Sequence, residues 1–296
     1  DLETMQSVAG SSTPKDFETM MQLLYLRIAR PNYNKEAYDA IMGRYTAVVN
    51  MMQKDPSKMM SDSLSMNMTS YHPRTFLLTP ESMKLITYEA INHIYETAFD
   101  DASGFTFFIT GNVDEAVARE MAQLYIGSLP AKHLNETYRD LKMNQPEGTV
   151  RKEISIPLAV PKATVVISYS ADARYNPSGN LTMDVLKGIL DLVYTEKVRE
   201  EQGGTYGVSI SATSQKRPEE KASLLVAFEC DPERATELKN IIYSELDGIS
   251  KNGPRQVDLE KSVSNMLKTR EEALQHNSYW ANTVRTYYLT GIDNND

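Results

Sequence analysis

The feature that most restricts the fold lies between residues 149 and 230, where two pairs of β-rich runs flank one long amphipathic helix. "RKEISIPLAV" and "ATVVISYSA" are rich in β-branched residues and separated by Pro161 and Lys162, which predicts an antiparallel pair. "GNLTMDVLKGILDLVYTEKVREEQ" follows, with Leu181, Val185, Leu186, Ile189, Leu190 and Val193 on one helical face. "TYGVSISATSQ" and "KASLLVAFEC" are then two further strands joined by the polar turn "KRPEE". After them "PERATELKNIIYSELDGIS", "GPRQVDLEKSVSNMLKTREEALQ" and "SYWANTVRTYYLT" have helical spacing. A sheet with one apolar face and helices with one apolar stripe can hide both only by packing together. The order β-β-α-β-β-α-α therefore predicts an α+β layer, helices against an antiparallel sheet.

The first 130 residues follow a different pattern, mostly helical. "STPKDFETMMQLLYLRIA" places Pro14 in a first turn and apolar residues at Phe17, Met20, Met21, Leu24 and Ile28. "PNYNKEAYDAIMGRYTAVVNMMQKD" predicts a second helix capped by Asn34, and "PSKMMSDSLSMNMTS" a third. "TPESMKLITYEAINHIYETAF" opens with Thr79, Pro80 and Glu81, a capped start, and predicts one helix to its end. "GFTFFITG" is an aromatic and β-branched run between glycines, which predicts a strand near 105–110. "NVDEAVAREMAQLYIGSLP" is a helix stopped by Gly127 and Pro130. Residues 131–148 hold no sustained period and end in Pro-Glu-Gly, so they are expected to link two α+β units, 1–130 and 149–296.

The two units echo one another. "PKDFETMMQLLY" and "PERATELKNIIY" share a proline, acidic residues and an apolar-apolar-Tyr ending, and each precedes a turn and a long helix. On this pattern the first region corresponds to the back half of a unit whose front half recurs as the second region. The first domain is then expected to be incomplete at its N-terminus and the second at its C-terminus.

Composition narrows the function. With 31 basic and 40 acidic residues the net charge is −9, and no basic cluster offers the counterion release that nucleic acid binding requires. No apolar run approaches the ~20 residues of a membrane span. The sequence starts with Asp in an acidic, polar stretch that does not resemble a signal peptide. One cysteine, Cys230, forms no internal disulfide and is most simply a buried strand residue; this leaves periplasm and cytoplasm both open. Fifteen methionines are read as adaptable core filler.

Chemistry is concentrated in "VREEQGGTYGVSIS", residues 198–211. A helix running to about Gln202 puts Arg199 in its last turn, and Gly203 or Gly204 can end it in the left-handed conformation. A strand then starts with Tyr206, Val208 and Ile210 on one face. Arg199 and Tyr206 thus stand on either side of one tight corner, from which both can reach a single point in a cleft. The ordinary alternative is an arginine that complements the helix dipole and a tyrosine that packs. A phosphate loop is disfavoured, because a phosphate cradle runs strand, glycine loop, helix, and this stretch runs the other way.

The order of elements, "FTFFITGNVDEAVAREMAQLYIGSLP" and above all "VREEQGGTYGVSIS" resemble the C-terminal, non-zinc half of the pitrilysin/insulinase zinc peptidases, over essentially the whole chain. That resemblance implies two homologous halves, each a pair of related α+β domains, closing like a clamshell on an unfolded peptide. Zinc would be held by an inverted H-x-x-E-H motif in the N-terminal half, in the same polypeptide or a separate subunit. Carried over by motif, Arg199 would bind a peptide carbonyl and Tyr206 would donate a hydrogen bond to the oxyanion. The residue types suit those roles, a guanidinium being a permanent fork of donors and a phenol a neutral donor.

None of His72, His93, His133 and His276 stands in an H-x-x-E-H setting, so no metal site is expected in this chain, and by itself it is expected to be inactive. "SDSLSMNMTS" has no patterned base, which argues against a serine nucleophile. "EKVREEQ", "TREEALQ" and "RPEEK" mix signs at helical or turn spacing and are read as solvated faces. The expected partners are a peptide substrate and the zinc-bearing half. The rival reading is a non-catalytic scaffold or partner subunit of the same fold.

Overall fold

Strand β3 (Lys221–Cys230) is the centre of the only sheet found among the described residues, and it pairs antiparallel on both sides. Its neighbours are β1 (Ala163–Asp172) and β2 (Val208–Gln215), giving the order β1-β3-β2. In this computed structural model, residues 5–134, 137, 139–200 and 207–293 are described, with the backbone alone at 199 and 200. The register aligns Ile167, Val226 and Ile210 in one row and Tyr169, Leu224 and Ala212 in another. Alternation puts Leu224, Val226, Phe228 and Cys230 of β3 on the buried face. The opposite face carries small polar rows such as Ser170, Ser223 and Thr213.

Two helices close the apolar face. Helix α7 (Pro177–Tyr194) starts at Asn176, whose side chain accepts from the Gly179 amide at 2.8 Å, with Pro177 in its first turn. It buries Ile189, Leu190, Val193 and Tyr194. Helix α8 (Ala235–Asn252) adds Leu238 and Ile242, both fully buried. Helices α9 (Gln256–Ala273) and α10 (Asn277–Thr290) complete this region.

The preceding region is helical: α1 (Phe17–Ala29), α2 (Lys35–Met52), α3 (Pro56–Met68), the single turn α4 (Pro80–Met83), α5 (Tyr88–Phe99) and α6 (Glu115–Met121). Asn34 caps α2 as its sequence predicts, accepting from Ala37 at 2.8 Å. Tyrosine hydroxyls tie the helices to loop and helix carbonyls. Tyr38 donates to Ile86 at 2.6 Å, Tyr88 to Tyr33 at 2.9 Å and Tyr95 to Arg27 at 2.7 Å.

By its contacts the chain divides into one unit of Asp1–Phe107 with Asn112–Ile156, and a second of Phe108–Gly111 with Pro157–Asp296. The echo read in the sequence recurs as an order of elements. A three-residue turn at Pro14–Asp16 leads into α1 and the 18-residue α2, and one at Pro232–Arg234 leads into α8 and the 18-residue α9. The α+β class, helices against a small antiparallel sheet, is thus the observed one.

Three expectations change. The run from Thr79 to Phe99 is two helices, because Thr79 and Ser82 form a capping box around one turn and Thr87 caps a new start by accepting from Ala90 at 3.1 Å. Residues 105–110 form no strand: Phe105 and Phe107 pack in an aromatic row with Tyr95 and Phe99, and no ladder partner lies beside them among the described residues. "RKEISIPLAV" likewise forms no strand, and β1 pairs with β3 instead. β3 offers a full row of apolar partners in register, which a run broken by Pro157 and Pro161 does not.

Candidate functional site

The corner between α7 and β2 is framed from both ends. Helix α7 does not simply stop; its backbone widens into a π-helical turn, Thr195–Glu200, which carries Arg199. Single π turns inside α-helices occur frequently at functional sites. β2 begins at Val208 paired with Phe228, so the far end of the corner is fixed to the central strand. The side chain of Arg199 and all of Tyr206 lie outside the described residues, as does the helix end expected near Gln202.

On the core side the turn is held by apolar packing. Val198 is fully buried in the cluster formed by α7, α8 and the sheet. Tyr194, also fully buried, donates its hydroxyl to the Ile242 carbonyl at 3.2 Å. Burial pushes its phenol well above the ordinary tyrosine range.

On the solvent side the turn is held by charge. Arg255, just before α9, donates from both terminal nitrogens to the two carboxylate oxygens of Glu196, at 3.0 and 2.5 Å. The same guanidinium donates from Nε and Nη2 to Asp258, at 2.5 and 3.1 Å. Asp258 is buried, whereas Arg255 and Glu196 are part-exposed. The Glu196 carboxyl is held down at about 2, chiefly by its hydrogen bond from Arg255, with the Arg255 and Lys197 charges adding to it. One step deeper, α9 lies tight on α7. A Cβ on Gly188 would fall 2.2 Å from the Ser262 Oγ, and that hydroxyl donates to the Val185 carbonyl at 3.2 Å.

The sequence reading missed Glu196, Arg255 and Asp258. "EKVREEQ" is not wholly a solvated face, since Glu196 bridges to a residue 59 positions away. The only local signal is Arg255 three residues before Asp258 at a helix start after Gly-Pro, a spacing that brings the two side chains together.

Among the described residues no three His, Cys, Asp or Glu side chains come close enough to share a metal ion. The four histidines are dispersed: His72 accepts from the Arg74 amide, His93 lies within α5, His133 has positive φ, and His276 precedes α10. The described donor set does not fit a zinc. No described helix is long and apolar enough to cross a membrane.

The described residues thus form an α+β layer in which a repeated helix order accompanies one small antiparallel sheet. The sequence profile described as "Peptidase M16 inactive domain" matches residues 85–266, more than half of the chain, and the chain belongs to the M16 peptidase family. It is 24% identical to the "Zinc protease PQQL-like" of Arabidopsis thaliana, over 94% of this chain and 30% of that protein. It is 23% identical to the "Probable zinc protease PqqL" of Haemophilus influenzae, over 88% of this chain and 27% of that protein. The crystal structure of the periplasmic protease PqqL from Escherichia coli matches with a TM-score of 0.75 at 20% identity, covering 95% of this chain and 31% of that one. The chain therefore spans less than a third of the length of these relatives.

Proposed function

We propose that the chain is the substrate-binding, non-zinc half of a zinc-dependent endopeptidase that acts on peptides or unfolded protein segments. Arg199 engages a backbone carbonyl of the peptide. Tyr206 donates a hydrogen bond to the oxygen that gains negative charge as water attacks the scissile carbonyl. The observation that carries this reading is the family match over 85–266, which encloses the whole of 198–211. The corner's architecture supports it: a donor pair gains most when its backbone is fixed before substrate arrives, and this corner is tied to β3 at one end and to α8 and Arg255 at the other. In this reading zinc, bound by the other half, supplies Lewis acidity toward the water and the carbonyl. This chain supplies neutral and cationic donors and no base.

The test uses the complete protein with its zinc-bearing half and an unfolded peptide. Cleavage is expected to be chelator-sensitive. Tyr206→Phe is expected to lower kcat by roughly a hundredfold with little change in KM, since the lost hydrogen bond strengthens only as charge develops. Arg199→Ala is expected to raise KM by roughly tenfold, the effect of losing a charged hydrogen bond already made in the bound substrate. A Tyr206→Phe protein with unchanged kcat would remove the phenol from the chemistry. An absence of turnover in any assembly would replace this reading with the scaffold subunit.

A further inference from the structure

We propose that Arg255, bracing Glu196, is a positioning residue for Arg199: it fixes the π-helical turn from whose backbone Arg199 departs. This rests on the role given to Arg199 above, and it concerns residues that the resemblance to known peptidases does not single out.

Three observations converge. The turn Thr195–Glu200 is the one described part of the corner that leaves regular α geometry, so its backbone is not held by the α-helical ladder alone. Its inward residue, Val198, is clamped in the core, which fixes depth, but an apolar contact carries no hydrogen-bond direction of its own. The Arg255–Glu196 fork is directional. Two parallel N–H to oxygen bonds set both distance and plane, a constraint that a single lysine contact does not impose. Lys197 also reaches Glu196, but at 3.6 Å and from the next residue, so that contact lies within the turn itself.

The guanidinium is itself immobilised. Asp258, buried at the start of α9, takes Nε and Nη2. α9 is in turn seated on α7, where a Cβ on Gly188 would fall 2.2 Å from the Ser262 Oγ and that hydroxyl donates to the Val185 carbonyl. The chain of constraint thus runs from the α7–α9 contact through Asp258 and Arg255 to Glu196, three residues before Arg199. An exposed ion pair contributes little to stability in general. A geometric role therefore accounts better than stability for a fork built on a buried carboxylate.

The test is made on the complete, zinc-loaded protein with Glu196→Gln, which leaves the Arg255–Asp258 contact in place and so avoids stranding a buried charge. Hydrogen exchange of the peptide spanning 197–206 is expected to speed up roughly tenfold while β3 is unchanged; unaltered exchange overturns the anchor whatever the activity. The kcat/KM for peptide is expected to fall roughly tenfold or more with only a small drop in Tm, a loss expected of a misplaced group. That loss is expected to vanish when Glu196→Gln is introduced into an Arg199→Ala background, because the two act through one group. A full loss in that background overturns the proposal. Arg255→Lys, which keeps the charge but not the fork, is expected to follow Glu196→Gln. If Arg199→Ala alone is silent, the role given to Arg199 falls, and the exchange measurement still decides whether Arg255 anchors the turn.

Discussion

Glu196 looks unremarkable in sequence, an acid among acids, yet its environment alters its chemistry. Arg255 holds its carboxyl at about 2, below the ordinary 4.5. A depressed folded value means that the unfolded chain takes up the proton first. The contribution of this carboxylate is therefore complete above 4.5 and is lost as pH falls toward about 2. Glu196→Gln is expected to be less stable than the parent at neutral pH, with the two stability curves converging across that window in acid titrations of denaturant midpoint. Curves that run parallel down to about 2 would show that the pair contributes nothing to folding. Asp101 behaves alike, its carboxylate held well down by Ser103 and by the amides of Lys132 and Leu134.

At the scale of elements, the contact of α7 with α9 is set by the absence of a side chain. Gly188 in mid-helix costs roughly 1 kcal/mol relative to alanine in propensity, and the close seat of Ser262 explains why the position holds it. Gly188→Ala recovers that propensity but drives a methyl into the hydroxyl and Cβ of Ser262. The net expected result is a loss of about 1–2 kcal/mol in chemical denaturation, overpacking outweighing propensity. Adding Ser262→Gly is expected to restore part of it; a Gly188→Ala protein more stable than the parent would show that the helices part freely. The sheet follows similar logic. β3 is apolar along one whole face and so becomes the central strand, while its partners keep polar outer rows.

For the whole molecule, the match to relatives more than three times as long bears on what the chain can do. Under the proposed function this chain is expected to bind an unfolded peptide. Peptide binding by this chain, measured by fluorescence anisotropy, is expected to weaken in Arg199→Ala. Cleavage is expected only when the zinc-bearing half is supplied, and to stop with a chelator. Zinc-dependent cleavage by the chain alone would overturn the division of labour. The net charge of −9 is expected to favour binding of basic over acidic peptides at low ionic strength.

What the sequence determined by itself was local. The cap at Asn34, the start at Thr79, the amphipathic face of α7 and the alternation of β2 and β3 were all legible, because each depends on residues within one or two turns of one another. The echo of α1 and α8 was legible for the same reason, as similar short patterns repeated. Only the tertiary structure decided which strand lies beside β3, that Phe105 and Phe107 join an aromatic row, and that Arg255 reaches Glu196. Those outcomes depend on which distant groups satisfy one another's hydrogen bonds and fill one another's space. A carboxylate sees its arginine only after α7 and α9 have packed, and nothing in "EKVREEQ" states that they will.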